Sequence, residues 1–249
     1  MEERVSLFEA VNRRLTRAFG HSAYTRFLVL TRSRTGSSML MSFLRSHPQV
    51  EVYGEYFSRL DGKPYQDMLA EVFSPHPRPI KAVGFKIFYN QPFDDPDSGL
   101  WQALAGLKNL RLIHLTRLNF LRTYVSRKIA EQQDVWSIRG QRSPIDMQAP
   151  VFHIEPAELQ SAYEKTRAMQ SSRLLLFADQ QVLELTYEDL VNQPETEFGR
   201  VTDFLSLAEH PPKTTLRRQN TRKLSDIITN YAELKDSMIG TELRSFFDD

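Results

Sequence analysis

The sequence predicts an α/β fold, with a central parallel sheet flanked by helices in a single domain. Short apolar runs typical of buried strands alternate along the chain with segments of helical spacing. This alternation indicates parallel strands that are joined by crossover helices. The length of 249 residues suits one large α/β domain, and no repeat or low-complexity tract divides it. We therefore expect one domain over residues 1–249.

The strands are predicted from aliphatic and aromatic runs that end at polar or turn-forming residues. The first run ends at a basic turn, and the short second run ends at Gly54. The remaining three runs are rich in Val, Ile, Leu and Phe, which favour strands. The predicted strands cover residues 26–30, 50–53, 80–88, 110–115 and 182–186.

The helices are predicted from apolar residues at helical spacing and from their boundary residues. Phe8, Val11 and Leu15 have this spacing, so residues 1–25 are expected to form an N-terminal amphipathic helix. Pro156 suits the first position of a later helix. Further helices are predicted at residues 37–45, 66–73, 97–106, 119–132, 156–172, 187–192 and 195–205, and from residue 231. Residues 134–154 show neither pattern and are predicted to be a long irregular segment of the kind that is commonly functional.

The composition excludes several classes of protein. A net charge of +1 does not indicate a nucleic-acid partner, and the lack of cysteine excludes disulfides and thiolate chemistry. The N-terminal residues 1–5 are charged and lack the apolar core of a signal peptide. No apolar stretch is long enough to span a bilayer. We therefore expect a cytoplasmic protein without a transmembrane segment.

The most informative segment is the strand, turn and helix over residues 27–40. A strand that runs into a tight turn and a helix N-terminus gathers backbone N–H groups at one point, which favours an anion, most often phosphate. Arg34 adds a cation there, and Gly36 lets the backbone approach a ligand closely. Ser37 and Ser38 are expected to cap the helix and to donate to the anion. For this segment alone, a plain βα turn is the alternative.

The turn lacks the glycine pattern of the common nucleotide-binding motifs. A Walker A loop needs two glycines separated by four residues, with Lys after the second, whereas here Ser37 follows the single Gly36. A dinucleotide-binding fingerprint needs three spaced glycines. The segment is therefore at most similar to a P-loop.

A second candidate anion site follows the predicted strand 110–115. Arg117 leaves the C-terminal end of this strand, and Ser126 lies about two turns along the next helix. Open parallel sheets bind ligands at the C-terminal ends of their strands. Two anion sites at two strand ends are more specific than either alone, although a loop arginine and a solvent-facing serine remain the alternative.

These motifs together resemble those of sulfotransferases that use 3′-phosphoadenosine 5′-phosphosulfate. The run Arg34-Thr35-Gly36-Ser37-Ser38 is similar to the 5′-phosphosulfate loop of the carbohydrate-type and bacterial members. Arg117 and Ser126 resemble the motif that holds the 3′-phosphate. The run Thr186-Tyr187-Glu188-Asp189-Leu190 and the tail from Arg218 match later parts of the family. The chain is identified as a member of this superfamily and resembles bacterial trehalose 2-sulfotransferase-like enzymes.

The resemblance implies a donor and a set of binding residues. The donor is expected to be 3′-phosphoadenosine 5′-phosphosulfate, used without a metal ion. Its 3′-phosphate is expected on Arg117 and Ser126, with Arg218 or Arg222 closing over it. The residues expected at the 5′-phosphosulfate are Arg34, Thr35, Gly36, Ser37 and Ser38.

On the acceptor side, the resemblance implies a base and two catalytic cations. Phe88 stands where cytosolic sulfotransferases carry their histidine base, so that base is missing. Glu55 matches the position of the glutamate base in the trehalose-type enzymes, and its aromatic neighbours suggest an apolar pocket. Lys86 and Arg34 are expected to stabilise the transferred group. A surface carboxylate is the alternative for Glu55.

The irregular segment 134–154 is expected on the acceptor side, where Trp136 or His153 could line the site. His153 is also the alternative base. The predicted function is sulfuryl transfer to a hydroxyl of a carbohydrate or glycolipid. Alternatives are a lipid or polyketide hydroxyl as acceptor, a nucleotide kinase, or a nucleotide-binding protein without activity. The sequence leaves a homodimer open.

Overall fold

The computed structural model describes residues 20–133, 150–214 and 222–248. These residues form an α/β domain with a five-stranded sheet between helices, so the predicted fold class is confirmed. The strands are β1 Thr25–Thr31, β2 Val50–Tyr53, β3 Ala82–Phe88, β4 Leu110–Thr116 and β5 Gln181–Thr186. The helices are α1 Ser37–Ser46, α2 Tyr65–Val72, α3 Leu100–Ala105, α4 Phe120–Gln133, α5 Pro156–Leu175, α6 Tyr187–Asn192, α7 Pro194–Phe204 and α8 Tyr231–Ser237.

All five strands are parallel, in the order β2-β3-β1-β4-β5. From the central β1 the chain crosses to β2 at one edge, and later returns past β1 to β4 and β5. The direction of winding therefore changes beside β1. In open α/β sheets such a point opens a crevice at the C-terminal strand ends. The loops after β1, β3 and β4 meet at this crevice.

Both faces of the sheet are covered, which explains why the strands are nearly continuous apolar runs. Phe27 and Val29 of β1 face α1 and α7, whereas Leu28 and Leu30 face α2 and α3. A further apolar cluster joins α4, α5, α8 and the C-terminal turns. In the described ranges, no helix is long and apolar enough to cross a membrane.

The predicted N-terminal helix was wrong over its last residues, and residues 1–19 lie outside the described ranges. His21 forms an antiparallel bridge with His76, with an N–O distance of 2.9 Å in each direction, and Thr25 already begins β1. Pairing with the chain after α2 satisfies the backbone here in place of helical hydrogen bonds.

Only the end of the predicted irregular segment is described, since residues 134–149 lie outside the ranges. Phe152 forms a parallel bridge with Ile228, and the Ile154 N–H donates to the Asn230 side chain over 3.1 Å. Residues 150–154 are therefore fastened to the C-terminal part of the chain.

Candidate active site

The β1–α1 loop is fastened to the neighbouring strand by hydroxyl groups. The Thr31 hydroxyl donates to the Leu115 carbonyl of β4 over 2.6 Å. The Thr35 hydroxyl lies 2.6 Å from the Thr31 hydroxyl and 2.9 Å from the Arg32 carbonyl. Thr35 is almost fully buried, at 1% exposure. Its side chain therefore stabilises the loop, and a contact between Thr35 and the ligand stays a prediction.

Two residues give the loop its sharp turn. Arg34 and Gly36 have φ values of 68° and 77°, in the left-handed region that glycine adopts without strain. Gly36 also packs directly on the Tyr187 ring, where an added Cβ would lie 2.2 Å from Cδ2. The close packing and the positive φ both require glycine at this position.

The start of α1 differs from the prediction that serines cap the helix. Gly36 is the N-cap, so Ser37 and Ser38 occupy the first two helical positions. The first helical hydrogen bond runs from the Met39 N–H to the Gly36 carbonyl, over 2.9 Å. The N–H groups of residues 36–38 thus precede this bond and are available to an anion. Ser38 is exposed, whereas Ser37 is buried.

The two predicted anion sites meet in one cluster. Arg34 donates through Nε to the Ser126 hydroxyl of α4, over 2.9 Å. Arg117 donates through Nη1 to the Arg34 carbonyl, over 3.2 Å, and its guanidinium lies 4.4 Å from the Tyr187 ring centroid. Burial lowers the pKa of Arg34, and the nearby charge of Arg117 lowers it further. Such desolvated neighbouring cations favour an anionic ligand between them.

Arg32 and Tyr187 also belong to this cluster. Tyr187 lies in the run 186–190 that matches the family, but neither side chain was predicted to bind the ligand. The Arg32 guanidinium lies 4.7 Å from the centre of the Phe120 ring. Burial, followed by the charges of Arg127 and Arg117, lowers the pKa of Arg32 to about 10, so this side chain stays cationic at neutral pH. The available signal for Arg32 was its charge two residues before Arg34.

The predicted closing arginines are not placed in the cluster. Arg218 lies outside the described residues. Arg222 donates to the Asp226 carbonyl, and its own carbonyl accepts from Arg122 of α4 over 2.7 Å. The contact with α4 connects the tail to the helix that carries Ser126, but a role for Arg222 at the 3′-phosphate remains a prediction.

The predicted acceptor-side residues form a second cluster at the end of β3. Lys86 Nζ lies 3.0 Å from Glu55 Oε1 and 3.4 Å from Ser37 Oγ. The other carboxylate oxygen, Oε2, accepts from the Gln91 amide over 2.9 Å. The Glu55 side chain is 36% exposed and has polar partners, so it does not lie in the expected apolar pocket. Lys86 thus connects the anion loop to the candidate base.

The residues expected at the acceptor from the irregular segment are not brought to this cluster by any described contact. Trp136 lies outside the described residues. The His153 imidazole is exposed, and its Nε2 lies 3.2 Å from the Glu155 carboxylate. Within the described ranges, no group of three or more acidic or histidine side chains is arranged to hold a metal ion.

The arrangement combines two chemical functions at one crevice. One end gathers arginines and free N–H groups around a tight loop and suits a phosphate-bearing ligand. The other end holds a carboxylate beside a lysine. The carboxylate suits a proton acceptor, and the lysine suits a cation that stabilises developing negative charge. Lys86 and Ser37 join the two ends.

Comparison with known proteins finds relatives that match most of the chain. No family model matches the chain. The chain is 26% identical over 236 residues to Nodulation protein H of Rhizobium tropici, which covers 89% of this chain and 92% of that protein. It is also 26% identical over 241 residues to Nodulation protein H of Rhizobium meliloti, covering 89% and 94%.

A sulfotransferase from Alicyclobacillus acidocaldarius has a similar structure. Its TM-score is 0.51 at 16% identity, over 89% of this chain and 95% of that one. The fold is therefore the sulfotransferase fold. The shared fold agrees with the resemblance of the motifs at the crevice to those of sulfotransferases.

Proposed function

We propose that the protein transfers a sulfuryl group from 3′-phosphoadenosine 5′-phosphosulfate to a hydroxyl of a carbohydrate or glycolipid. The observation that carries this proposal is the position of Lys86. Its Nζ lies between the Glu55 carboxylate, at 3.0 Å, and the Ser37 hydroxyl of the anion loop, at 3.4 Å. A single cation thus touches both the candidate base and the candidate donor loop.

The donor loop fits a phosphosulfate. Gly36 permits the positive φ of the tight turn, and the N–H groups of residues 36–38 precede the first helical bond. Arg34 would contact the 5′-phosphosulfate, while Arg117 and Ser126 would hold the 3′-phosphate. Because Arg34 already touches Ser126, one bisphosphorylated nucleotide could engage all three side chains.

The chemistry needs little from the protein beyond position and charge. Glu55 accepts the proton of the acceptor hydroxyl, whose oxygen forms the new bond to sulfur while the bond from sulfur to the 5′-phosphate oxygen breaks. Lys86 and Arg34 stabilise the negative charge on the sulfuryl and leaving-group oxygens. This division of labour is the one found in phosphoryl transfer.

The acceptor class rests on the resemblance of particular residues. Phe88 occupies the position of the histidine base of cytosolic members, and its ring lies 4.9 Å from Lys86 Nζ. Glu55 contacts the same lysine, which supports a carboxylate base at this crevice in place of the imidazole. A glutamate base in this place is the feature that the chain shares with trehalose-type enzymes.

The direct test incubates the protein with the donor and a panel of hydroxyl acceptors. The panel contains trehalose, chitooligosaccharides and a glycolipid, with a sterol and a phenol as non-carbohydrate comparisons. Mass spectrometry should detect a sulfated sugar and the bisphosphate product, with no need for added magnesium. Sulfation of the sterol or phenol alone would favour a non-carbohydrate acceptor. Magnesium-dependent phosphate transfer from ATP would indicate a kinase, and nucleotide binding without turnover a binding protein.

A further inference from the structure

Gln91 is a fully buried polar residue, at 0% exposure, that lies outside every motif recognised in the sequence. It follows β3 and contacts the protein through its main chain as well as its side chain. Its N–H donates to the Phe88 carbonyl over 3.0 Å, and its carbonyl accepts from the Trp101 indole over 2.7 Å. These bonds fix the backbone from which the side chain extends.

The orientation of the Gln91 amide is determined by its partners. The Phe88 N–H can only donate, and it lies 2.9 Å from Oε1 of Gln91. The amide nitrogen therefore occupies the other position, where it donates to Glu55 Oε2 over 2.9 Å. A buried amide that left either group unsatisfied would be destabilising, so the arrangement has one favourable orientation.

The two oxygens of the Glu55 carboxylate have different partners. Oε2 is bound by a neutral, buried amide, and Oε1 by the Lys86 ammonium. The lysine also reaches Ser37 and is the group expected to turn towards the transferred sulfuryl. Oε1 would then face the acceptor hydroxyl, while Oε2 would keep its neutral partner. Without that partner, a side chain that is 36% exposed could rotate among several rotamers.

We propose that Gln91 is a positioning residue that holds the Glu55 carboxylate through Oε2 and so directs Oε1 towards the acceptor hydroxyl. This role rests on the proposed function of Glu55 as the base. The amide does not touch the reacting atoms, and it holds the carboxylate without neutralising the charge that a base needs.

Two substitutions of Gln91 test the role. Gln91→Met removes both side-chain hydrogen bonds and should lower kcat between about 10-fold and about 10²-fold, with the donor KM unchanged. Gln91→Glu keeps an oxygen that accepts from Phe88 but places a second carboxylate against Glu55. Because a second negative charge favours the protonated form of Glu55, the acidic limb of the plot of kcat against pH should move to higher pH. A role of Gln91 unrelated to Glu55 would not move that limb. Gln91→Glu also tests the contact with Glu55 if Gln91→Met does not fold.

The matched control is Gln180→Met. The Gln180 side chain likewise makes two hydrogen bonds, both donated by its amide to the carbonyls of Ala105 and Leu107, but at the N-terminal end of the sheet. This variant should lose stability without losing kcat. If Gln91→Met and Gln180→Met both lost kcat in proportion to the fall in their melting temperatures, the positioning role would be overturned.

A double-mutant cycle separates failure of this inference from failure of the proposed base. In the Glu55→Gln background, Gln91→Met should have almost no further effect on kcat, since the carboxylate that it positions is gone. Additive losses, or a wild-type kcat in Gln91→Met, would overturn the role of Gln91 alone. A wild-type kcat in Glu55→Gln would overturn the proposed base itself.

Discussion

Arg34 and Ser126 are 92 positions apart in the chain, yet the Arg34 Nε–H donates to the Ser126 hydroxyl over 2.9 Å. The sequence had assigned these residues to two separate phosphate sites. Their contact brings the β1–α1 loop and α4 together, so we expect the two predicted phosphate sites to act on one ligand. The two predicted sites together would suit a ligand that carries two separate phosphates on one nucleoside.

Adenosine 3′,5′-bisphosphate should therefore stabilise the protein more than ADP, which carries the same number of phosphates, and more than ATP. At a hundredfold excess over its dissociation constant, the gain in unfolding free energy should be about 2.7 kcal/mol. Thermal denaturation with each nucleotide measures the difference. Ser126→Ala should reduce the difference in melting temperature between the protein with the bisphosphate and the protein with ADP. Equal increases in melting temperature with both nucleotides in the wild type would argue against a 3′-phosphate site.

Arg34→Ala should weaken donor binding and also lower kcat. The substitution removes a charge-assisted contact worth about 1.5–3 kcal/mol beside the transferred group. Steady-state kinetics with varied donor would measure both effects. Arg200 is a suitable control, since its guanidinium pairs with Glu197 on α7. Arg200→Ala should leave the donor KM and kcat unchanged. If Arg34→Ala behaved like this control, Arg34 would have no part in donor binding.

Arg117→Ala should raise the donor KM with a smaller effect on kcat, because the 3′-phosphate does not change during the reaction. Some loss of kcat is expected, since Arg117 also holds the Arg34 carbonyl at 3.2 Å. Comparing the ratio of the KM and kcat effects in Arg117→Ala and Arg34→Ala distinguishes the two roles. The same ratio in both variants would mean that the two arginines serve one phosphate.

Glu55→Gln should lower kcat by about 10²–10⁴-fold, the usual contribution of a general base, while the donor affinity is kept. Stability should fall slightly, because Lys86 and Gln91 both donate to Glu55, and an amide can accept only through its oxygen. The acidic limb of the rate profile should disappear. Near-normal turnover, together with a loss of activity in His153→Ala, would instead make His153 the base.

Gly36→Ala should destabilise the protein more than Gly62→Ala. Both glycines have positive φ values, of 77° and 74°, so each alanine should cost about 1–2 kcal/mol from backbone strain. Only at Gly36 would the Cβ also lie 2.2 Å from the Tyr187 ring, whereas nothing lies within 4 Å at Gly62. Overpacking of this kind adds about 1–3 kcal/mol. Chemical denaturation of both variants measures the difference, and equal losses would contradict the close packing on Tyr187.

Asp94 should contribute to the pH dependence of stability. Hydrogen bonds from the N–H groups of Leu60 and Asp61 lower the pKa of its carboxyl. The pKa of Asp94 in the folded state lies below its pKa of about 3.9 in the unfolded state. The stabilisation is therefore present above about pH 4 and is lost as pH falls through the folded-state pKa. Asp94→Asn should lower the melting temperature at pH 7, with a smaller difference near pH 2. Asp95→Asn is the control, and an equal effect of pH on both variants would contradict this account.

Local features of the fold were predictable from the sequence. The strand 50–53 has the predicted bounds, because the alternating residues Val-Glu-Val-Tyr before Gly54 specify a short strand by themselves. The predicted helix 97–106 is shorter, Leu100–Ala105, since Gly99 takes a left-handed conformation with φ 84° and begins the helix later. The end of the predicted N-terminal helix was wrong because pairing of His21 with His76 depends on a distant segment.

By itself, the sequence determined the alternation of strands and helices, the anion loop around Gly36, and the identities of Arg34, Arg117, Ser126, Lys86 and Glu55 as candidates. These are properties of neighbouring residues, and short-range spacing encodes them. The strand order β2-β3-β1-β4-β5 was decided only in the tertiary structure. That order brings the end of β3 beside the β1–α1 loop, and it is why Lys86 meets Ser37. The proposed role of the buried Gln91 amide depends on the same packing, because only the folded chain places this amide against Glu55.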